Sequence, residues 1–315
     1  MGNIGITVVI GYTAAVLFFF ARRLRWEARI AVFVLLGGIV VSSAWVLETE
    51  TLAIRCVVGA LPFIFLLHMW DLHVDPQRGC RLTLGSYLVL LPDYAWSVAR
   101  AGDDHGLDLP FGQRAREAAK QVAGLCLVFV VAVGLFSLDW AVWPFWVEHV
   151  AKSTCLGACA IRAFQANTAI WRLAGAPAAR FVTRKVLCAC SPAEFWRRWN
   201  RPMSRWLLEN VYRPLGGRRN PRLAVLGTFA VSGILHEYLF AVIFRRLSGF
   251  VMAFFLLHGL AVVVIRRFRP VGWLRVPAAI LTFLFNTLSS VLLLASIDER
   301  IPLYVNAIPE WLHLW

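Results

Sequence analysis

The sequence predicts an all-α polytopic integral membrane protein, with about eight transmembrane helices and further interfacial or re-entrant helices. Two observations carry that prediction. Of the 315 residues 59% are hydrophobic and 16% charged, against roughly 25% charged in soluble domains, and the mean hydropathy is +0.66. The apolar residues also fall in continuous runs and do not alternate, which excludes the alternating pattern of a membrane barrel. In hydrocarbon the backbone must bond to itself, so helices remain. No large polar block interrupts the chain, and residues 1–315 read as a single membrane domain.

Each run is tested by length, since about 20 apolar residues in helix span a bilayer core of roughly 30 Å. Seven qualify: Ile4–Phe20, Ile30–Leu47, Thr51–Trp70, Lys120–Leu138, Leu223–Phe244, Ser248–Ile265 and Val276–Ser296. The first lacks a basic start and a small-residue cleavage site, so it reads as an anchor rather than a cleaved signal. Ser153–Leu173 carries Arg162, Gln165 and Asn167, and is long enough to cross if buried among other helices. Leu82–Val98 is interrupted by Pro92 and Asp93, and is expected to be re-entrant or interfacial.

The net charge of +14 would suggest nucleic acid in a soluble protein. In a membrane protein it marks basic loops retained in the cytoplasm, and no nucleic-acid partner is expected. Arg22, Arg23, Arg25 and Arg29 follow the first run, so the first loop is expected inside. Arg78, Arg81, Arg100, Arg114 and Arg116 join them if Leu82–Val98 does not cross. Twelve basic residues against two acidic ones lie between Arg172 and Arg222, and that loop is expected to be cytoplasmic. Arg266, Arg267, Arg269 and Arg275 also fall inside, whereas Arg245 and Arg246 break the rule. The C-terminus is then expected outside. Only Lys120, Lys152 and Lys185 are lysines, an Arg bias that suggests a GC-rich bacterial genome and an inner-membrane location. The seven cysteines are scattered without zinc spacing. They are assigned no function, and no metal site is expected.

The basic loop has its own organisation. Ser191-Pro192-Ala193-Glu194 reads as a capping box with Pro at the first helical position. A short helix should run through Phe195, Trp196 and Trp199, checked near Arg201 because Pro202 disfavours helix in the residue before it. Met203, Trp206, Leu207 and Val211 then share a face opposite Arg201 and Arg205, as in a helix lying flat at a membrane surface. Pro214, Gly216 and Gly217 end it, and Asn220-Pro221 opens the next span. That span holds His236 fourteen residues past Arg222, about 21 Å along the helix at about 1.5 Å per residue. An ionisable residue at that depth lines a cavity or pathway, or is a neutral histidine bonded to a neighbouring helix. Depth alone leaves both readings open.

Phe195-Trp196-Arg197-Arg198-Trp199-Asn200, Val211-Tyr212-Arg213-Pro214, and Ser232-Gly233 leading to His236-Glu237 together resemble the membrane-bound O-acyltransferase superfamily. The motif core, residues 191–246, is most similar to the plant-type wax synthase branch. His236-Glu237-Tyr238 also resembles the sterol and diacylglycerol acyltransferases. Pro214-Leu215-Gly216-Gly217 is similar instead to the alginate O-acetylase and teichoic acid D-alanyl transferase branch. That branch carries a His at the place of Asn200 and Trp-His-Gly at the place of Leu235-His236-Glu237.

The resemblance implies an enzyme that moves an acyl group from acyl-CoA, a co-substrate and not a bound cofactor, to the hydroxyl of a lipid alcohol in the membrane. It assigns the base to His236, an imidazole whose ordinary pKa lies near working pH. It has Asn200 orient a substrate or donate to the developing oxyanion. The competing reading of Asn200 is a helix terminator before Pro202. Placed at an interface, Asn200 could not reach His236 unless the Phe195–Asn200 helix dips into the protein. Arg197, Arg198, Arg201 and Arg205 are candidates for the coenzyme A phosphates, weighed against ordinary loop charge and binding of anionic lipid. His258 is the second candidate base. His68 reads as a satisfied histidine at a span's end, and Asn286 as a bond between helices. Two alternatives stay open: acylation of an extracytoplasmic glycan or polymer, and a non-catalytic lipid-binding or transport protein.

Overall fold

The computed structural model describes residues 2–49, 51–74, 83–92, 109–175, 182–298 and 300–310. Among them the chain is helical and contains no strand, so the all-α membrane architecture holds. The helices are α1 (Gly2–Ala21), α2 (Trp26–Ser43), α3 (Leu52–Val58), α4 (Ala60–Val74), α5 (Leu84–Leu90), α6 (Phe111–Phe136), α7 (Phe145–Leu173), α8 (Pro192–Trp199), α9 (Arg201–Leu207), α10 (Pro221–Phe244), α11 (Phe250–Ile265), α12 (Arg275–Ser289) and α13 (Val291–Asp298).

Among the described residues six stretches are long and apolar enough to cross a bilayer: Asn3–Ala21, Trp26–Leu47, Leu52–Val74, Phe111–Phe136, Pro221–Phe244 and Gly272–Asp298. The remaining two of the eight expected crossings correspond to α11, apolar but only 16 residues, and to α7, whose 29 residues begin at Phe145 rather than Ser153. α5 has seven residues, about 10 Å of helix, and is too short to cross. Asp93, Arg78, Arg81 and Arg100 lie outside the described residues.

The helices form two compact units, Met1–Ser97 with Tyr238–Leu247, and Val98–Glu237 with Ser248–Trp315. In the first, Phe18, Val40, Phe65, Met69 and Tyr87 make the core between α1, α2, α4 and α5. Arg29 is turned inward and not left free in the loop. Its guanidinium donates to the carbonyls of Arg22 at 3.3 Å and Leu24 at 3.2 Å, acceptors left over where α1 ends. His68 is buried within α4, not at the end of its span.

In the second unit α6 and α7 pair along their lengths, tied near one end by Arg172 and Glu117 at 3.2 Å. The start of α7 carries a buried ion pair, with Lys152 Nζ donating to Glu148 Oε1 at 2.5 Å. A buried pair is tolerable when its remaining hydrogen-bond capacity is met. Lys152 also donates to the Leu303 carbonyl at 2.6 Å. Glu148 accepts from the backbone amides of Val305 at 2.8 Å and Asn306 at 3.1 Å. The segment after α13 is thereby pinned to the head of α7. This explains why α7 is helical but too polar to look like a span. Asn286 does not make its expected interhelical bond: its Oδ1 is buried with no hydrogen-bond partner among the described residues.

Candidate functional site

α10 and α11 approach closely because each offers the other a glycine. A Cβ on Gly233 would stand 2.7 Å from Met252 Sδ and 3.3 Å from Phe255 Cβ. One on Gly259 would stand 2.8 Å from Phe229 Cβ. The small residue before His236 therefore admits Phe255, and the imidazole lies against that ring with centroids 4.5 Å apart.

His236 is partly buried. Its Nδ1 lies 2.8 Å from the Ser232 carbonyl oxygen on the preceding turn. A carbonyl can only accept, so Nδ1 carries a proton, and in the neutral imidazole Nε2 then has the lone pair. Among the described residues no hydrogen bond holds Nε2. In the neutral ring Nε2 is thus an acceptor that no described residue occupies.

Glu237, the next residue, has a different task. It is buried, and its Oε1 accepts from the Gly249 amide at 2.7 Å while Oε2 accepts from the Met252 amide at 2.9 Å. These are amides at the head of α11, which have no partner inside the helix. A carboxylate there also meets the positive end of the helix dipole. Glu237 fixes α11, and with it Phe255, relative to His236.

α8 forms as its sequence predicts. Ser191 Oγ accepts from the Glu194 amide at 3.2 Å, and Glu194 Oε2 reaches back to the amide of Cys190 at 2.7 Å. The helix does not lie apart at a surface but packs on α11 and α12. Trp196 reaches inward, its ring 5.5 Å from Phe255 and its Nε1 donating to His258 Nδ1 at 3.0 Å. His258 Nε2 then donates to Ser289 Oγ at 2.9 Å, and Ser289 Oγ donates to the Phe285 carbonyl at 2.6 Å. The chain of donors sets the tautomer: the lone pair of His258 is occupied by the indole. Fully buried and bonded through both nitrogens, His258 has no acceptor free for a substrate proton.

Asn200 stands between α8 and α9. Its Oδ1 accepts from the Met203 amide at 3.2 Å, capping α9. Trp206 and Leu207 on α9 are buried rather than spread on a surface. The helix then passes through a π turn, Leu208–Tyr212, and ends at Gly216 and Gly217, both at positive φ.

The four candidate arginines separate. Arg197, Arg198 and Arg201 line a pocket of about 170 Å³ together with Arg184 and Lys185. Arg205 lies outside it and pairs with Glu209 at 3.5 Å. Arg198 is engaged within the wall, donating to Glu194 Oε1 at 2.5 Å and to the Lys185 carbonyl at 2.8 Å. The wall is bonded to itself further, by the Arg184 amide to the Arg198 carbonyl at 3.1 Å and the Arg201 amide to the Val182 carbonyl at 2.9 Å. Gln165 on α7 donates to Thr183 Oγ1 at 3.0 Å and steadies the same loop. Five cations around one concavity suit a multiply charged anion such as a phosphate. Sequence reasoning missed Arg184 and Lys185, which look like any other charges in a basic loop, and Ser289, which carries no signal of its own.

Residues 108–293 match the model of the membrane-bound O-acyltransferase family. Over 104 residues the chain is 31% identical to a probable sterol O-acyltransferase of Schizosaccharomyces pombe, covering 33% of this chain and 22% of that protein. Over 89 residues it is 39% identical to an acyl-CoA–sterol O-acyltransferase of Arabidopsis thaliana, covering 25% of this chain and 26% of that one. A diacylglycerol O-acyltransferase of Oryza sativa subsp. japonica is 40% identical over 56 residues, 18% of this chain and 10% of its own. The aligned stretches thus span about a quarter or less of these relatives. Their names do not single out the wax synthase branch.

Proposed function

The chain belongs to the membrane-bound O-acyltransferase family, and on that premise we propose that it transfers an acyl group from acyl-CoA to the hydroxyl of a lipid alcohol. The observation that carries the reading is the tautomer of His236, whose Nδ1 proton is held by Ser232 while Nε2 keeps its lone pair. In the reaction the alcohol oxygen attacks the thioester carbonyl as Nε2 takes the hydroxyl proton. The carbon–sulfur bond then breaks, and the coenzyme A thiolate leaves with a proton returned from the imidazolium. Ser232 holds the ring in one tautomer through both transfers.

Asn200 is the proposed donor to the oxyanion. With Oδ1 spent on the α9 cap, its Nδ2 is the group that can donate. The pocket of Arg184, Lys185, Arg197, Arg198 and Arg201 is the proposed seat of the coenzyme A phosphates. Its place in the basic 172–222 loop supports donor entry from the cytoplasmic side, where positive loops are retained. The relatives' names favour a sterol or diacylglycerol acceptor, and the sequence motifs a long-chain alcohol that gives a wax ester.

The test is ester formation by purified protein from labelled acyl-CoA, offered a sterol, a diacylglycerol and a long-chain alcohol in turn. Product with one of these identifies the acceptor. Hydrolysis of acyl-CoA without ester in every case would overturn the reading.

A further inference from the structure

The proposed reaction leaves His258 unused, although it is fully buried, set in an aromatic cage and bonded through both ring nitrogens. Burying an imidazole for packing alone would be costly, because each nitrogen then needs a partner. One partner, Ser289, belongs to α12 in the apolar interior. The other, Trp196, belongs to α8 in the basic loop. The bond therefore runs between the membrane helices and the loop. Trp196 also touches Phe255 at 5.5 Å, the same ring that supports His236 at 4.5 Å.

We propose that His258 is a positioning residue for acyl transfer: its Nδ1 lone pair holds the Trp196 indole, and so seats the Phe195–Asn200 segment against the wall on which His236 rests. The inference rests on the reading of His236 as base. His258 itself exchanges no proton with substrate, because its one acceptor site is filled. The cationic pocket is bonded within its own loop, so it survives loss of the Trp196–His258 bond. Donor binding is then preserved while alignment is lost, and a displacement of about 1 Å can cost on the order of a hundredfold in rate.

Trp196→Phe keeps a ring and removes the donor, and His258→Leu removes the acceptor. Each should lower kcat about tenfold or more, with the KM for acyl-CoA within about twofold of wild type. Both break the Trp196–His258 bond, and His258→Leu also loses Ser289, so the double variant should be no slower than the slower single. His258→Asn, which offers an acceptor oxygen in place of Nδ1 and cannot act as a base, should recover most of the rate. Wild-type kcat in Trp196→Phe, multiplied losses in the double variant, or a His258→Asn as inactive as His258→Leu would each overturn the proposal.

A readout without catalysis keeps it separate from the acyltransferase reading. Cys190, buried just before the α8 cap, should react with maleimide several-fold faster when Trp196→Phe is made in a protein with Cys190 as its single cysteine. An unchanged labelling rate would sink the positioning role even if the protein transferred no acyl group.

Discussion

The Nδ1 proton of His236 is committed to the carbonyl of Ser232, 2.8 Å away on the preceding turn of α10. That carbonyl belongs to an uninterrupted helix, so it fixes the orientation of the His236 ring without a second side chain. His258, by contrast, has its lone pair filled. Of the two candidate histidines, His236 keeps one ring nitrogen without a partner among the described residues, and His258 keeps none.

His236→Ala is expected to lower kcat by about 10²–10⁴-fold, the usual contribution of a general base, with acyl-CoA binding retained. His236→Gln keeps a hydrogen-bonding side chain but no basic nitrogen and should be equally slow. In wild type kcat/KM should fall as the solution is acidified, because protonation fills Nε2. Near-normal turnover in His236→Gln, measured as ester formed per enzyme, would exclude the role.

Glu237 is predicted to matter for stability before chemistry. Glu237→Ala leaves the amides of Gly249 and Met252 without their acceptor, at a cost on the order of 2 kcal/mol. Glu237→Gln keeps one acceptor oxygen and should cost less. Thermal unfolding in detergent ranks the three proteins, and the order wild type, Gln, Ala is the expected one.

The spans were legible because hydrocarbon demands long apolar helices. The α8 cap was legible because Ser191, Pro192 and Glu194 act within one turn. The proton pattern was not, because it depends on pairs far apart in the chain, Trp196 with His258 and His258 with Ser289. α7 looked like a weak span for the same reason: Glu148 and Lys152 are buried by residues 303–306, which nothing local announces. The sequence around Asn200 fits both an oxyanion donor and a helix terminator. The structure gives its oxygen to the α9 cap, which leaves the amide nitrogen for the other role.

The glycines between α10 and α11 should differ in tolerance. At Gly233 the nearest atom to an added Cβ is Met252 Sδ, the far part of a flexible side chain that can move away. At Gly259 it is Phe229 Cβ at 2.8 Å, fixed to the backbone. Overpacking costs about 1–3 kcal/mol, so Gly259→Ala should lower Tm more than Gly233→Ala. The reverse order would mean that the close helix contact lies elsewhere.

Topology can be read by a reporter cysteine in the basic loop. Gly217 is buried at positive φ and would make a strained, hidden reporter, whereas Arg218 is exposed. With native cysteines removed, Arg218→Cys should resist an impermeant reagent in intact cells and label after permeabilisation. Strong labelling from outside would reverse the assignment of the 172–222 loop.

The arginines offer a test in which neighbours should behave differently. Arg197 and Arg201 are exposed in the pocket wall. Reversing both to Glu should raise the KM for acyl-CoA at least tenfold, with kcat at saturation nearly kept, because the charge acts on binding and not on the transition state. The effect should shrink as salt is added. Arg198 braces Glu194 to the Lys185 carbonyl, so Arg198→Glu should lower Tm as well as binding, since it sets a second carboxylate beside Glu194. Arg205 faces Glu209 outside the pocket, and Arg205→Gln should leave KM within about twofold. If Arg205→Gln raises KM as much as the double reversal does, the coenzyme A phosphates sit further along α9 than the pocket. If none of these changes moves KM, the cluster serves lipid or topology and the donor enters by another face.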